Sequence, residues 1–449
     1  MNSSNNKKEL RRKAILNDDL LLLLVKTSIP TIIGILVMVI YNLTDTFFVG
    51  ILNNKSMTAA IGIVFSFMSF IQAIGFWFGY GSGNIMSKKI GENEEKEAEI
   101  ISSIGILFAI VIGVFIAILS CFFVLPLSKF IGGSASENLL NFTVEYLKVI
   151  IISIPFGLYS ITLYNQLRLC GNVKDGMLGL LIGMAVNIVL DPVLMFVFKF
   201  GFIGAGYATL IGQITGCIVL TNLSGKNGNI AVNLKKVRIN KDRVYHILAG
   251  GMPNFSRQSI TSIALILLNV VAAKYGDGVI AALAYMIMIG WGQGFQPICA
   301  MNYGAKQYDR VKKAFKFAVV GGTLFLIMAA ILLYVFSELL IKTMSNDNEV
   351  ILVGSEILRM QCITLPLLGY FAISSMLMQN IGQYFGASII SISRQGIFYI
   401  PLLYILSNIF GEFGIYLLQP VADVLSFGLA VIVVRKIKFA NDKCKKDGI

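Results

Sequence analysis

The sequence predicts an all-α integral membrane protein with twelve transmembrane helices in two six-helix repeats (6+6) around a central cavity. Three observations predict it: an extreme apolar composition, twelve separate apolar runs of spanning length, and an ordered series of matches between the two halves. Of 449 residues, 56% are hydrophobic and 14% charged, and the mean hydropathy is +0.77. Soluble domains carry roughly 25% charged residues. A bilayer accommodates this composition because lipid solvates most of the outer face. The formal charge of +13 sits between the apolar runs, so it marks topology rather than a nucleic-acid surface.

The runs are 22–50, 57–86, 101–125, 138–164, 175–198, 202–222, 244–272, 279–302, 315–341, 351–378, 386–409 and 413–436. A spanning helix needs about 20 apolar residues; the longer runs imply tilt or protrusion. The first run is too long for a signal-peptide core, so it is retained as a helix. Pro155, Pro192, Pro253, Pro297, Pro366 and Pro401 fall inside runs, where a proline bends the helix and frees a carbonyl. With the N-terminus inside, 29 Lys and Arg fall on that side, Arg168 and Arg394 among them, against 6 outside. Arg257 and Arg359 lie within runs. This asymmetry places both termini in the cytoplasm of a multi-pass plasma-membrane protein.

The longest polar stretch divides the chain into an N-terminal lobe (1–222), a linker (223–243) and a C-terminal lobe (244–449). Ala59-Ala60 answers Ala281-Ala282, and Pro155 answers Pro366. Gly171 answers Gly382, Pro192 answers Pro401, and Gly201 with Gly204 answers Gly411 with Gly414. Both halves begin on the same side, so the repeats are parallel, a common transporter design.

An ionisable group in a membrane costs roughly 2.5–3.5 kcal/mol at a helix centre, which makes each one a functional candidate. Asp45 lies in the first run and Asp191 in the fifth. Tyr41 and Asn187 each sit four residues before an aspartate, on the same helix face. Thr209, near the start of the sixth run, falls at a similar depth. Such an oxygen-rich cluster suits Na⁺, and Asp45, Asn187, Asp191 and Thr209 are the candidate ligands. The same carboxylates, held from water, could carry a proton instead. Asp423 in the twelfth run is a third acid, facing either Arg257 or a polar crevice; with Asn42 and Arg257 it is a candidate for the substrate cavity. No acid lies between Val244 and Gly276 or between Ile357 and Gly411, which biases coupling toward the first half.

Other patterns have plainer readings. The six cysteines show no metal or disulfide spacing and read as packing residues. A single histidine, His246, rules out a multi-histidine metal site. Gly79-Tyr80-Gly81-Ser82-Gly83 reads as close helix packing, and Glu92 to Glu99 as a solvated charged loop. No GxxxxGK[ST] occurs, which disfavours ATP-driven export.

The segment from Ile29-Pro30 through Tyr41-Asn42-Leu43-Thr44-Asp45-Thr46-Phe47-Phe48-Val49-Gly50 resembles the first helix of the multidrug and toxic compound extrusion (MATE) family. So do Asn187-Ile188-Val189-Leu190-Asp191-Pro192 and Gly204-Ala205-Gly206-Tyr207-Ala208-Thr209. The likeness covers essentially the whole chain and is nearest the MepA-like, DinF-type bacterial branch. It implies two six-helix lobes that exchange inward- and outward-facing states and export organic cations against Na⁺ or H⁺. It also implies a first-lobe coupling site at Tyr41, Asp45, Asn187, Asp191 and Thr209. The second-lobe acids of the NorM-type branch have no counterpart here.

The expected function is therefore a secondary multidrug antiporter: not an enzyme, with no cofactor beyond the coupling ion. It would act as a monomer in the lipid bilayer on small-molecule drugs or toxic organic cations, with no nucleic-acid partner. The alternatives are a flippase for a lipid-linked substrate, which favours a cavity with several arginines, and a non-transporting receptor or channel.

Overall fold

The computed structural model describes residues 2–272, 279–343 and 348–437. Every regular element among them is helical. The chain opens with α1 (Asn2–Asn17), α2 (Leu20–Gly50), α3 (Lys55–Gly91), α4 (Glu95–Phe122), α5 (Val124–Phe130), α6 (Glu137–Leu169), α7 (Val173–Pro192) and α8 (Phe202–Leu223). The second half runs α9 (Lys241–Ala272), α10 (Val279–Gly304), α11 (Tyr308–Val335), α12 (Ser337–Lys342), α13 (Asn348–Thr364), α14 (Leu367–Asn380), α15 (Tyr384–Ile392), α16 (Tyr399–Phe410) and α17 (Glu412–Arg435). Among the described residues, nine helices are long and apolar enough to cross a membrane, or ten with the bent pair α13–α14 as one span. The other two expected runs, 244–272 and 279–302, are helical as α9 and α10.

Local chemistry sets the ends. Asn54 caps α3 by accepting from Ser56 N (3.0 Å) and Met57 N (3.3 Å). Ser136 caps α6 through Leu139 N (3.2 Å). Each cap satisfies backbone donors that have no partner inside the helix. The 37 residues of α3 rise about 55 Å at ~1.5 Å per residue, well beyond a hydrocarbon core of about 30 Å. Phe122, Phe130 and Phe385 are more than four-fifths exposed, as lipid-facing side chains are.

Backbone geometry repeats between the halves. Gly171 and Gly382 have φ +83° and +87°, and Gly201 and Gly411 both have φ +56°, with ψ −137° and −129°. Only glycine adopts this last conformation without strain. α4 and α11 are both 28 residues long, and each is followed by a short helix. Wide π turns occupy Val193–Val197 after α7 and Ser393–Ile397 after α15. The halves differ at their matched prolines: α6 runs unbroken through Pro155, whereas the chain bends by 56° between α13 and α14 at Pro366.

By its contacts the chain forms two units, Met1–Ala14 with Ile33–Gly251, and Ile15–Ile32 with Met252–Ile449. In the first unit, Ile106, Leu163, Tyr164, Leu167 and Leu220 form a buried cluster. The Gly79–Gly83 stretch packs closely, as its composition predicts: a Cβ on Gly79 would lie 2.9 Å from Asn165 Cβ, and one on Gly81 would strike the Ile247 carbonyl. Trp77 Nε1 donates to Leu248 O (2.7 Å), so the opening turns of α9 belong to this unit. In the second unit, Tyr399, Leu403, Leu418 and Ala422 form a core cluster. There the opening turns of α2 lie on α10: Thr27 Oγ1 donates to Gly294 O (2.9 Å) and Ser28 Oγ to Trp291 O (3.0 Å). The stretch 223–243, read as a linker, packs on the first unit, where Asn229 Nδ2 donates to Asp175 Oδ2 (2.8 Å).

Hydropathy does not reveal α1, because polar contacts hold it. Lys8 pairs with Glu95 (3.0 Å), Arg11 donates to Asn227 O (2.7 Å), and Arg12 donates to Ile90 O (2.9 Å) and Gly91 O (3.0 Å) at the negative end of α3. Two readings of the charges need correction. The Glu92–Glu99 stretch is not merely solvated: Glu92 and Glu94 pair with Lys89, Glu97 with Arg243 and Glu99 with Lys236. Arg168 and Arg394, counted with the basic loops, lie within helical packing, Arg168 buried and Arg394 half-buried against Asp423. Arg168 is wholly buried in α6, over the Tyr80 ring at 5.0 Å.

Candidate functional site

The site in the first unit begins with glycines. Gly183 of α7 and Gly212 of α8 touch backbone to backbone; a Cβ on either would lie 2.7 Å from the other's carbonyl oxygen. Small residues let two helices approach this closely without a side-chain layer between them. The approach sets Asn187 one turn along from Gly183, beside Thr209, and Asn187 Nδ2 donates to Thr209 Oγ1 at 3.3 Å. Asp191 follows one further turn on, fully buried. Pro192 then ends α7, the backbone widens into the π turn, and Gly201 turns the chain into α8. Pro192 has no backbone N–H, so it cannot donate to the carbonyl one turn before it, and the regular helix ladder ends beside Asp191.

A cavity of about 110 Å³ adjoins this cluster, lined by Met38 of α2, Gln72 and Phe76 of α3, and residues of α6, α7 and α8 that include Asn187 and Thr209. Gly157 makes space for Gln213, since a Cβ there would lie 2.6 Å from Gln213 Oε1. Three oxygens of lining residues, Asn187 Oδ1, Ser160 Oγ and Gln213 Oε1, are buried with no hydrogen-bond partner among the described residues. Buried polar groups are nearly always satisfied, so these oxygens call for water or an ion.

The structure thus brings Asn187 and Thr209 into contact, with Asp191 buried one turn further along α7. Tyr41, Asn42 and Asp45 lie in α2, but their side chains fall outside the described residues. In the second unit Asp423 meets Arg394 rather than Arg257. Arg394 Nε donates to Asp423 Oδ1 (2.7 Å), Gln419 Nε2 to the same oxygen (2.7 Å) and Thr364 Oγ1 to Oδ2 (3.2 Å), while the guanidinium lies over the Tyr285 ring at 4.7 Å. Arg257 belongs to a separate network. It donates to Asn254 Oδ1 (3.3 Å), and Asn254 and Gln296 both donate to Gln379 Oε1 (3.0 and 3.2 Å). Sequence reasoning missed Arg394, although a charge within the apolar run 386–409 is the signal that singled out Asp191. Gln213 was also legible, one turn from Thr209 on the same face. Ser160 carried no such signal.

The MatE family profile matches residues 30–193 and then again 260–405, one match in each half. The chain belongs to the MATE family. It is thus a multi-pass membrane protein of a transporter family, not of an enzyme family. Over 92% of its length it is 27% identical to the multidrug export protein MepA of Staphylococcus haemolyticus, covering 93% of that protein. MepA of Staphylococcus aureus strain MSSA476 is 27% identical over 92% of both chains. Among solved structures, an outward-facing multidrug-resistance MATE transporter of the MOP superfamily superimposes with a TM-score of 0.86 at 22% identity, over 94% of this chain and 96% of that one. A MOP-superfamily transporter from Pyrococcus furiosus superimposes with a TM-score of 0.83 at 22% identity, over 93% and 97%.

Proposed function

We propose that the protein is a secondary multidrug antiporter. It exports organic cations and other amphipathic compounds in exchange for Na⁺ or H⁺, and alternates between inward- and outward-facing states. The observation that carries this reading is the Asn187–Thr209 contact, with the unpartnered Asn187 Oδ1 beside a cavity and the buried Asp191 one turn on. A fully buried carboxylate is costly in a membrane protein unless it has a task. The resemblance to the family adds Asp45 and Tyr41 of α2 to the coupling residues, and both termini face the cytoplasm, as the charge asymmetry indicates. Cation binding would favour one state of the transporter and drug binding the other, so each lowers the other's affinity. The relatives named as multidrug export proteins support drugs as the substrate class.

The flippase reading loses ground, because Arg394 is neutralised by Asp423 and offers no free cation to a lipid phosphate. The test is ethidium export from proteoliposomes with Na⁺ and pH gradients imposed separately. Export should follow one gradient and vanish in Asp191→Asn and Asp45→Asn proteins that reach the membrane in normal amount. Gradient-driven export that persists in Asp191→Asn would refute the assignment.

A further inference from the structure

The cavity beside Asn187 is too small for a drug in this state. Drug-sized ligands occupy pockets of roughly 300–1,000 Å³, whereas about 110 Å³ holds a small group of waters. Its lining follows a direction. Along α7 it runs from Asn187 through Met184 and Gly183 to Leu180, and along α8 from Thr209 through Gly212 and Gln213 to Gly216. Seven residues of helix cover roughly 10 Å, and on both helices the sense is away from Asp191 and toward the end expected to face the cytoplasm.

Three unpartnered oxygens mark this route. Asn187 Oδ1 is at its head; Gln213 Oε1 and Ser160 Oγ lie further along. Ser160 is 95% buried, its relative exposure being 5%, and its hydroxyl does not take a carbonyl of the preceding turn as helical serines commonly do. Amide and hydroxyl oxygens of this kind suit a hydrated monovalent cation. Met38, Phe76, Ile161, Leu180 and Met184 form the apolar part of the wall.

We infer that this cavity is the inner stretch of a hydrated ion path inside the first unit, in which Ser160 and Gln213 hold waters that carry the coupling cation from beside Asn187 toward the cytoplasmic side, as far as the buried Tyr164–Leu220 cluster. The inference rests on the antiporter reading and adds a route that needs no passage through the drug site. Ser160 and Gln213 act by positioning water and touch no drug.

The test uses full-length protein in liposomes. Hydroxyl-radical footprinting reports water beside buried rings. Tyr164, 6% exposed and lining the cavity, should be oxidised well above Tyr146, 5% exposed and packed against Phe202. The Ser160→Ala/Gln213→Met protein should lose that labelling and export ethidium roughly ten-fold more slowly, the kinetic equivalent of one lost charge-assisted hydrogen bond. Its ethidium affinity in detergent should stay unchanged. Slowing under a Na⁺ gradient assigns the path to hydrated Na⁺, and slowing under a pH gradient assigns it to the proton. Protection of Tyr164 to the level of Tyr146 would mean a dry cavity and overturn the inference. So would a labelled Tyr164 with unimpaired export by the double variant, which would make the waters structural only. Wild-type export indifferent to both gradients would overturn the antiporter reading itself, and is seen before any variant is made.

Discussion

The Arg394–Asp423 pair offers a sharp energetic test, because both partners are held inside the second unit. Asp423 is 2% exposed and accepts from Arg394, Gln419 and Thr364. The Arg394 side chain is 15% exposed, and a guanidinium stays charged, so little water reaches it to replace a lost counter-ion. Asp423→Leu leaves a guanidinium without its counter-ion and two polar side chains without their acceptor. Breaking a buried pair in this way costs about 3–5 kcal/mol, whereas replacing both members with apolar residues of similar volume is often near neutral. Arg394→Met alone should cost a similar amount, through the stranded carboxylate. The double variant Arg394→Met/Asp423→Leu should recover most of the loss, a coupling of at least about 2 kcal/mol in a double-mutant cycle. Reversible denaturation of the purified protein by SDS in mixed micelles measures all four corners. If each single change costs under about 1 kcal/mol, or if the two losses simply add, the pair is not a desolvated ion pair and the argument from burial fails.

Further predictions concern packing, backbone and surface charge. Gly212→Ala would set a Cβ 2.7 Å from Gly183 O and 2.9 Å from Asn187 Cβ. It should cost about 1–3 kcal/mol by overpacking, part Asn187 from Thr209 and weaken ion-driven export; unchanged thermal stability would show that α7 and α8 separate freely. Gly201→Ala and Gly411→Ala meet the same φ of +56°, so each should lower stability by a similar amount, about 1–3 kcal/mol, in the same SDS assay. Unequal losses would deny their structural equivalence. Glu97 is held below its ordinary value of 4.5 by the hydrogen bond and charge of Arg243. The pair's contribution is therefore full above pH 4.5 and fades as pH falls through the depressed folded value. At this partly exposed site it should amount to no more than about 1 kcal/mol. Arg243→Ala should flatten the pH dependence of thermal stability below pH 4.5, and an unchanged profile would show that the pair contributes nothing.

The spans and the repeat were legible because both rest on strong, simple signals. Apolar runs specify helices in lipid, where every backbone group must be satisfied internally, and Gly201 and Gly411 hold their places because no other residue fits their backbone. Four-residue spacing put Asn187 and Asp191 on one helix face and depth put Thr209 near them, and Asn187 does meet Thr209. What the sequence hid follows from what hydropathy omits. α1 is mostly polar, with only Ile15 and Leu16 buried at its end, and is held by Arg11, Arg12 and Lys8, contacts that cross long stretches of chain. Arg168 and Arg394 joined the basic tally because charge counting cannot see a partner ring or carboxylate. Ser160 looked like any small residue in a helix; only the cavity beside it gives its hydroxyl a purpose.

The division of the chain by contacts bears on how such a protein is inherited. The opening turns of α2 belong with the second unit and those of α9 with the first, so neither half of the gene encodes a self-sufficient bundle. A half-length ancestor with this architecture would lack the piece that completes it and would fold only as a pair of copies trading their leading segments, as swapped dimers do. Joining two such copies end to end preserves the trade within one polypeptide. Severed today between α8 and α9, the two fragments should need co-synthesis, each acting as the other's missing segment.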